Sequence, residues 1–394
     1  MSETFKLVYY DVGQGDCILV VCPDDRLVMI DCGSSKGLTL DEKIDIAVDI
    51  RKFTNNNKGK LDALILTHPD KDHYNLVIQL LYERGYIEKG TEYKLNTVTF
   101  EDVYFSEEIV ADKEPLWHYG VAAIGENIKA SKFKTQSLHH IIITDSDQRR
   151  LTYSQTDDWS MPEIEPIQNH RYSVMHGTTP AGQQWEISII AGSIKGVDDT
   201  NPMSLVTLLE IGHNKEYKAL MLGDATFETE AFLLKTHRDL ISDVKFVHVP
   251  HHGSDTSSGV TFVQAVNPKG AQETMQTAES GFCLPKAVQT VRWIKQMDNE
   301  KEMHFVDYWE IAEDTAVNAE LAKWEKNGFY KPHIKTSGEA NNKYYLQIDK
   351  ITSEFIGYYY LSHERMLFRG RTKQNLWQTG VSGLTEWLLP NSFL

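Results

Sequence analysis

The stretch LDALILTHPDKDHYNLVIQLLYERG, residues 61–85, decides how the rest of the chain is read. Residues 61–66 form a short continuous apolar run, the pattern of a buried strand. It ends directly on THPDKDH, and the YNLVIQLLYERG that follows spaces its apolar residues as a helix does, with Gly85 as the expected stop. A polar cluster between the end of a buried strand and the start of a helix is where α/β folds place chemistry. His68, Asp70, Asp72 and His73 fall within six residues of one another. On one tight loop they can surround a cation, since each needs to reach only about 2.0–2.2 Å to a metal. The competing reading is a solvated turn whose aspartates cap a helix.

Working outward toward the N-terminus, residues 6–10, 16–21 and 27–31 are short, apolar and β-rich, and VGQG and PDD separate them, so they read as a β-meander. Leu38, Leu40, Ile44, Ala47, Val48 and Ile50 then set a helix from about Leu40, which closes at the polar loop TNNNKGK. Toward the C-terminus, residues 90–180 mix β-rich pieces (KLNTVTFEDVYF, HHIIITD) with the polar run TYSQTDDWSMPEIEPIQNH, and read as an insertion elaborated on the main domain. Three strand-like runs follow, WEISIIAG, SLVTLLEIG and YKALMLGDA, then a helix at 226–236 and the strand KFVHVP. A further helix is expected around 287–295, ahead of a charged stretch and a Tyr-rich tail.

Two of these strands also end on polar residues: Asp224 follows LMLG, and His251 and His252 follow VHVP. Three strand ends that each offer His or Asp make a metal centre a better explanation than a solvated turn. The remaining histidines invite less. His139, His140 and His248 lie in or beside β-rich runs and read as packing residues, while His118, His170 and His176 sit in the insertion, where one could line a cleft.

Composition bounds the partners. The chain has 394 residues, 41% hydrophobic and 24% charged, which suits a globular protein with one large domain or two. No apolar run approaches the roughly 18 residues of a membrane-spanning helix. The N-terminus lacks a basic stretch followed by an apolar segment, so a cytoplasmic location and no membrane association are expected. Four cysteines (Cys17, Cys22, Cys32, Cys283) show no CxxC spacing and no disulfide framework is expected. The net charge of −16 argues against coating by nucleic acid, whose binding depends on neutralising phosphates. The charge is uneven, because residues 331–394 hold eight Lys or Arg against five Asp or Glu.

DVGQGDCILV, MIDCGSS, ILTHPDKDHYN, NPMSLVTLLE, LMLGDA and VPHHGSDTSS occur in the order found in the metallo-β-lactamase superfamily. As a set they most resemble the hydrolase domain of competence-type DNA-uptake channel proteins, over about residues 5–300. The resemblance implies an α/β (α+β) fold, a four-layer αβ/βα sandwich with a dinuclear metal site along one edge. In this chain that means a hydrolase domain at 1–300 with an insertion at about 90–180, and a C-terminal extension at 301–394 packed on or completing it. The resemblance makes His68 and Asp70 ligands of one metal and Asp72 and His73 ligands of a second. It makes Asp224 the bridging carboxylate and one histidine of the pair, His252 ahead of His251, the ligand that closes the site. Asp31 would support the ligands through an outer hydrogen bond. Related chains often follow the Asp-His pair with two glycines where this one has Tyr74 and Asn75. A late Tyr-Gly-His-Pro motif stands here as Phe282, Cys283, Leu284 and Pro285. A further ligand could come from Asp199 or Asn201, although a turn role fits them equally.

Three Asp and three His ligands place about −3 against the +4 of two divalent ions, leaving a centre of roughly +1 that attracts an anion. The cofactors implied are two divalent ions, manganese or zinc, with magnesium as a third candidate. Their main work would be to lower the pKa of water from about 15.7 to about 7, roughly 12 kcal/mol of nucleophile activation. Catalysis is expected to rest on Asp72, Asp224 and His252. Neither GxSxG nor GxxxxGK[ST] occurs, so acyl-enzyme and nucleotide-triphosphate chemistry are set aside. A phosphodiesterase or nuclease acting on an anionic substrate, single-stranded DNA or RNA among them, leads. A hydrolase of lactones, thioesters or small phosphoesters is the alternative, and a metal-binding regulatory subunit that meets a protein partner through the insertion or extension is a third reading. The tail sequence ITSEFIGYYYLSHERMLFRGRTK interleaves aromatic and basic residues, which can track a single strand, or form a hairpin with its arginines solvated.

Overall fold

Alternation within four short strands builds the centre of the molecule. Leu7 and Tyr9, Ile18 and Val20, Val28 and Ile30, and Ala63 and Ile65 all enter one core, while their neighbours Val8, Leu19, Met29 and Leu64 enter another. Side chains alternate across a strand, so a sheet buried on both faces needs apolar residues at every position. These strands are β1 (Phe5–Tyr9), β2 (Cys17–Val21), β3 (Leu27–Cys32) and β4 (Lys60–Leu66). The first three pair antiparallel as a meander, and β4 joins β3 in parallel.

The computed structural model describes residues 5–107 apart from positions 11, 13, 14, 36, 37, 56, 82, 83, 89 and 90. It describes positions 116, 119 and 293, residues 137–154, and residues 162–273 apart from 197–199, 255 and 269. Beyond position 293 it gives the backbone of 302–305, 309–312, 333–336, 343–347, 355–356, 359–361 and 369–372. The expected helix near 287–295 and the Phe282–Pro285 departure therefore lie outside the described residues, Trp293 aside.

The parallel step from β3 to β4 requires a crossover, which α1 (Leu40–Asn55) supplies. Its Ile46, Ala47 and Ile50 pack on the outer face of the sheet, and Asp41 and Glu42 in its first turn complement the helix dipole. After β4 the expected single helix is two short ones, α2 (Lys71–Tyr74) and α3 (Val77–Leu81), and Gly85 lies within β5 (Arg84–Glu88), which forms a hairpin with β6 (Thr91–Leu95). The break has a local cause. Asn75 accepts from the Ser34 N–H (2.9 Å) and donates to the Ser34 carbonyl (2.7 Å), and the Leu76 N–H donates to the Cys32 carbonyl (2.9 Å), so the chain is tethered to the end of β3 where a helix would have continued.

The stretch read as an insertion supplies strands to both sheets. β7 (Thr99–Phe105) pairs parallel with β4, β8 (Ser137–Ile143) pairs parallel with β7, and β9 (Gln148–Ser154) and β10 (Glu163–Pro166) continue outward antiparallel. Their Val103, Phe105, Ile141 and Ile143 are buried in the two main cores. The second sheet runs in chain order: β11 (Tyr172–Thr178), β12 (Gln184–Ala191), β13 (Val206–Gly212), β14 (Tyr217–Met221), β15 (Phe246–His248), β16 (Gly270–Glu273) and β17 (Glu302–Phe305). Helices α4 (Phe227–Thr236) and α5 (Val260–Val266) cover it with Phe232, Leu233, Phe262 and Val263. The α5 sequence VTFVQAV is rich in β-branched residues and gives no helical signal of its own.

The two sheets face each other across a common core, with α1 and α3 outside one and α4 and α5 outside the other, so the architecture is the αβ/βα sandwich. From the tail, Tyr359–Leu361 and Arg369–Thr372 both pair with β1. No helix among the described residues is long and apolar enough to cross a membrane. Cys17 and Cys32 face each other across β2 and β3 with their sulfurs 3.6 Å apart as buried thiols.

Candidate metal centre

Five segment ends meet at one edge of the sandwich. Asp31, the next-to-last residue of β3, takes a left-handed backbone (φ 53°) that is costly for a residue with a side chain. That turn aims its carboxylate at the next strand end. Oδ1 accepts from the Thr67 N–H (2.7 Å), Oδ2 accepts from the Thr67 hydroxyl (2.6 Å), and Oδ2 lies 2.8 Å from Nδ1 of His73. With Nδ1 held by a carboxylate, the His73 ring is fixed and its Nε2 faces the interior of the site.

The Asp72 loop is seated by two glycines. A Cβ on Gly33 would lie 2.2 Å from the Asp72 carbonyl carbon, and one on Gly15 2.5 Å from the Asp72 carbonyl oxygen. Gly15 also has φ +133°. Only glycine allows this approach, which explains Gly15 and Gly33 in physical terms. The Asp16 N–H completes the contact by donating to the Asp72 carbonyl (3.2 Å).

From the second sheet, Asp224 follows β14 and the histidine pair follows β15. His251 and His252 both have φ of 50°, and this double left-handed turn sends both imidazoles back toward Asp224. The Asp224 carboxylate then divides the site. Its Oδ1 lies 3.3 Å from Nε2 of His73 and 3.5 Å from Nε2 of His252, which is 3.8 Å from Oδ2 of Asp72. Its Oδ2 lies 3.8 Å from Nε2 of both His68 and His251, and His68 is 3.7 Å from Oδ2 of Asp70. Donor atoms of His68, His73 and Asp224, and likewise of Asp72, His73 and His252, lie within 4.8 Å of one another.

This set fits divalent cations. The Nε2 atoms of His68 and His73 and Oδ1 of Asp224 are sealed from solvent and satisfied by no hydrogen bond, an arrangement that costs free energy unless a cation answers it. The electrostatics agree. Burial by itself would raise the Asp224 carboxyl, yet His252, His73 and His251 around it hold it well below the usual carboxylate range. Burial would lower His73, but Asp224 and Asp31 push it well above an ordinary imidazole. Asp70 is likewise held down, against burial, by His68 and the Thr200 hydroxyl that donates to it.

His68, Asp70, Asp72, His73, Asp224 and His252 converge, Asp31 backs His73, and His251 faces Asp224 alongside His252. Asn201 is buried with its Nδ2 3.4 Å from Nε2 of His251, so it abuts the site through that histidine. Asp199 lies outside the described residues. Three hydroxyl residues went unread: Thr67, Thr200, and Ser204, whose Oγ is 3.4 Å from Nδ1 of His68. Hydroxyls of this kind carry no spacing signal. Asp16 and His248 were also missed as a pair. His248, read as packing, places Nε2 3.3 Å from Oδ1 of the fully buried Asp16. The Asp16 signal was present in GQGD, whose acidic residue has no reason to sit at the start of a buried strand unless something answers its charge.

Residues 10–106 match the family model described as the metallo-beta-lactamase superfamily. The chain carries a metallo-β-lactamase superfamily domain. The matched segment of that domain holds Asp16, Asp31 and the His68–His73 cluster, and the second sheet brings Asp224 and the histidine pair to it. No curated protein matches the chain. Among solved structures it is similar to a diphosphatase of the PhnP family, at 11% identity and a TM-score of 0.29 over 68% of this chain and 85% of that one. It is similar also to the long form of RNase Z from yeast, at 10% identity and a TM-score of 0.32 over 70% of this chain and 37% of that one.

Proposed function

We propose that the chain is a metal-dependent hydrolase acting on phosphodiesters. The observation that carries this reading is the Asp224 carboxylate set between two donor groups, with His68, Asp70 and His251 on one side and Asp72, His73 and His252 on the other. Two divalent ions held there would supply a nucleophile at neutral pH and charge to stabilise an in-line displacement. The protein's own contribution is orientation. Asp31 and Thr67 fix His73, Thr200 fixes Asp70, and Gly15 and Gly33 fix the Asp72 backbone. Three carboxylates against two divalent ions leave a net positive centre, which favours an anionic ester over a neutral lactone or thioester. The motif resemblance to DNA-uptake hydrolase domains points the same way. Asp70, a hard ligand in a site otherwise rich in imidazole, favours manganese over zinc for turnover, although zinc binds more tightly by the general affinity order.

The test is reconstitution of the apo-protein with manganese or zinc, followed by hydrolysis of bis(p-nitrophenyl) phosphate and, separately, of a lactone and a thioester. The expected result is diester hydrolysis with a manganese optimum. Lactone or thioester opening without diester hydrolysis would overturn the phosphodiester assignment, and no metal uptake at all would overturn the metallohydrolase itself.

A further inference from the structure

The two halves of the metal centre are backed by different chemistry. Behind Asp72, His73 and His252 lies Asp16, fully buried, with both carboxylate oxygens sealed from solvent and matched by no hydrogen bond. Imidazoles face it instead: Nε2 of His248 is 3.3 Å from Oδ1, and Nδ1 of His73 is 3.9 Å from Oδ2. Its backbone holds the same half, because the Asp16 N–H donates to the Asp72 carbonyl (3.2 Å) while the Asp16 carbonyl accepts from the Gly33 N–H (2.9 Å). Burial alone would raise the Asp16 carboxyl, yet His248, His252 and His73 hold it well below the usual carboxylate range, so the group is an anion. Asp31 adds a second buried carboxylate, 2.8 Å from Nδ1 of His73.

The other half has no such backing among the described residues. Nδ1 of His68 lies 3.1 Å from the Thr67 hydroxyl and 3.4 Å from that of Ser204, and the Thr200 hydroxyl donates to Asp70. This half is also the open one: the Asp70 side chain is 39% exposed and that of His251 18%, against 14% for Asp72 and 1% for His252. A carboxylate behind an imidazole raises its basicity as a ligand, and losing such a partner costs about 10- to 100-fold in metal affinity. A fixed charge also acts more strongly where water is excluded. Although both halves share Asp224, the buried, anion-backed one therefore holds a cation more tightly than the open, hydroxyl-backed one.

We infer that the two ions bind unequally. Asp16, braced by His248, is a positioning residue that makes Asp72, His73 and His252 the seat of a resident ion, while His68, Asp70 and His251 take an exchangeable ion from solution. Hydrolysis is then switched on by the supply of free metal, which completes the centre. This inference rests on the two-ion reading above.

Asp70→Ala leaves the resident half to be titrated alone, and His252→Ala leaves the exchangeable half. Manganese binding to the apo-proteins is followed by isothermal titration calorimetry, with and without Asp16→Asn, which keeps the shape of the side chain and removes its charge. Circular dichroism checks the fold, and Asp16→Asn combined with His248→Gln takes the place of the single substitution if that fails to fold. The expected result is two manganese steps in the wild type, at least about tenfold apart, of which Asp70→Ala keeps the tight one. Asp16→Asn should weaken binding by about 10- to 100-fold in the Asp70→Ala background and by less than about threefold in the His252→Ala background. A tight step lost in Asp70→Ala and kept in His252→Ala overturns the order of binding. Equal weakening of both halves by Asp16→Asn, or none, overturns the role of Asp16. A wild type that takes up a single ion, unmoved by Asp70→Ala and weakened by Asp16→Asn, upholds the resident seat and overturns the two-ion reading.

Discussion

Nε2 of His248 lies 3.3 Å from Oδ1 of Asp16, and through this contact the end of β15 in the second sheet is tied to the start of β2 in the first. Both residues are fully buried, and Asp16 is also 3.9 Å from Nδ1 of His73. Removing one partner of this buried contact strands the other, the Asp16 carboxylate above all. His248→Leu should therefore cost about 3–5 kcal/mol of stability, whereas Asp16→Asn combined with His248→Gln should recover much of that loss. Urea denaturation of the single and double variants gives the coupling, and additive losses would mean that the two side chains do not act as a pair.

Asp224→Ala and Asp72→Ala should abolish hydrolysis and metal retention together, because metal binding offsets the repulsion among the clustered carboxylates. The two sheets supply the core, so circular dichroism should remain native. Elemental analysis decides the matter: full metal content in Asp224→Ala would remove its bridging role.

The histidine pair should respond unequally. His252 is buried against both Asp72 and Asp224, while the His251 side chain is 18% exposed and braced by Thr256 at 2.6 Å. His252→Ala should accordingly lose more metal than His251→Ala in a chelator competition. Small and equal losses would show that neither is a ligand.

His140 provides a pH prediction away from the metal ligands. Burial pulls its imidazole down to about 4, with Nε2 near the Glu107 N–H (3.4 Å) and the Ser193 hydroxyl (3.3 Å). The unfolded chain then binds the extra proton between about pH 6.5 and pH 4, so stability falls as the pH drops through that window and is complete above it. The loss attributable to this group is about 3 kcal/mol. His140→Gln should flatten the slope of unfolding free energy between pH 7 and pH 4.5, and an unchanged slope would mean that other groups dominate.

Much of this site could be read before any coordinates because metal ligands are chemically conspicuous. Six residues of two types, histidine and aspartate, placed after three apolar runs, announced both their strands and their convergence. What stayed hidden depends on partners distant in sequence. Asp16 and His248 are separated by more than two hundred positions, and neither explains the other until the two sheets are stacked. The helix expected from YNLVIQLLYERG failed for a similar reason, since its periodicity is real but Asn75 is bonded to Ser34 forty-one residues earlier. The strands within 90–180 were visible as β-rich pieces, and their membership in the central sheets was not, because parallel pairing with β4 leaves no mark on local sequence.

The pairing of β1 with two tail segments has a practical consequence for anyone shortening the protein. Residues 5–7 bond to 359–361 and residues 8–9 to 369–370, so the last part of the chain closes the flank of the strand that starts it. Deleting everything beyond about residue 300 would leave every proposed ligand in place, yet it would turn an interior strand into an open edge. The row of amide and carbonyl groups so exposed, beside the apolar Phe5, Leu7 and Tyr9, is a template for pairing with other chains. A minimal catalytic fragment would thus tend to self-associate, and its low solubility would report an unprotected edge and not a lost centre.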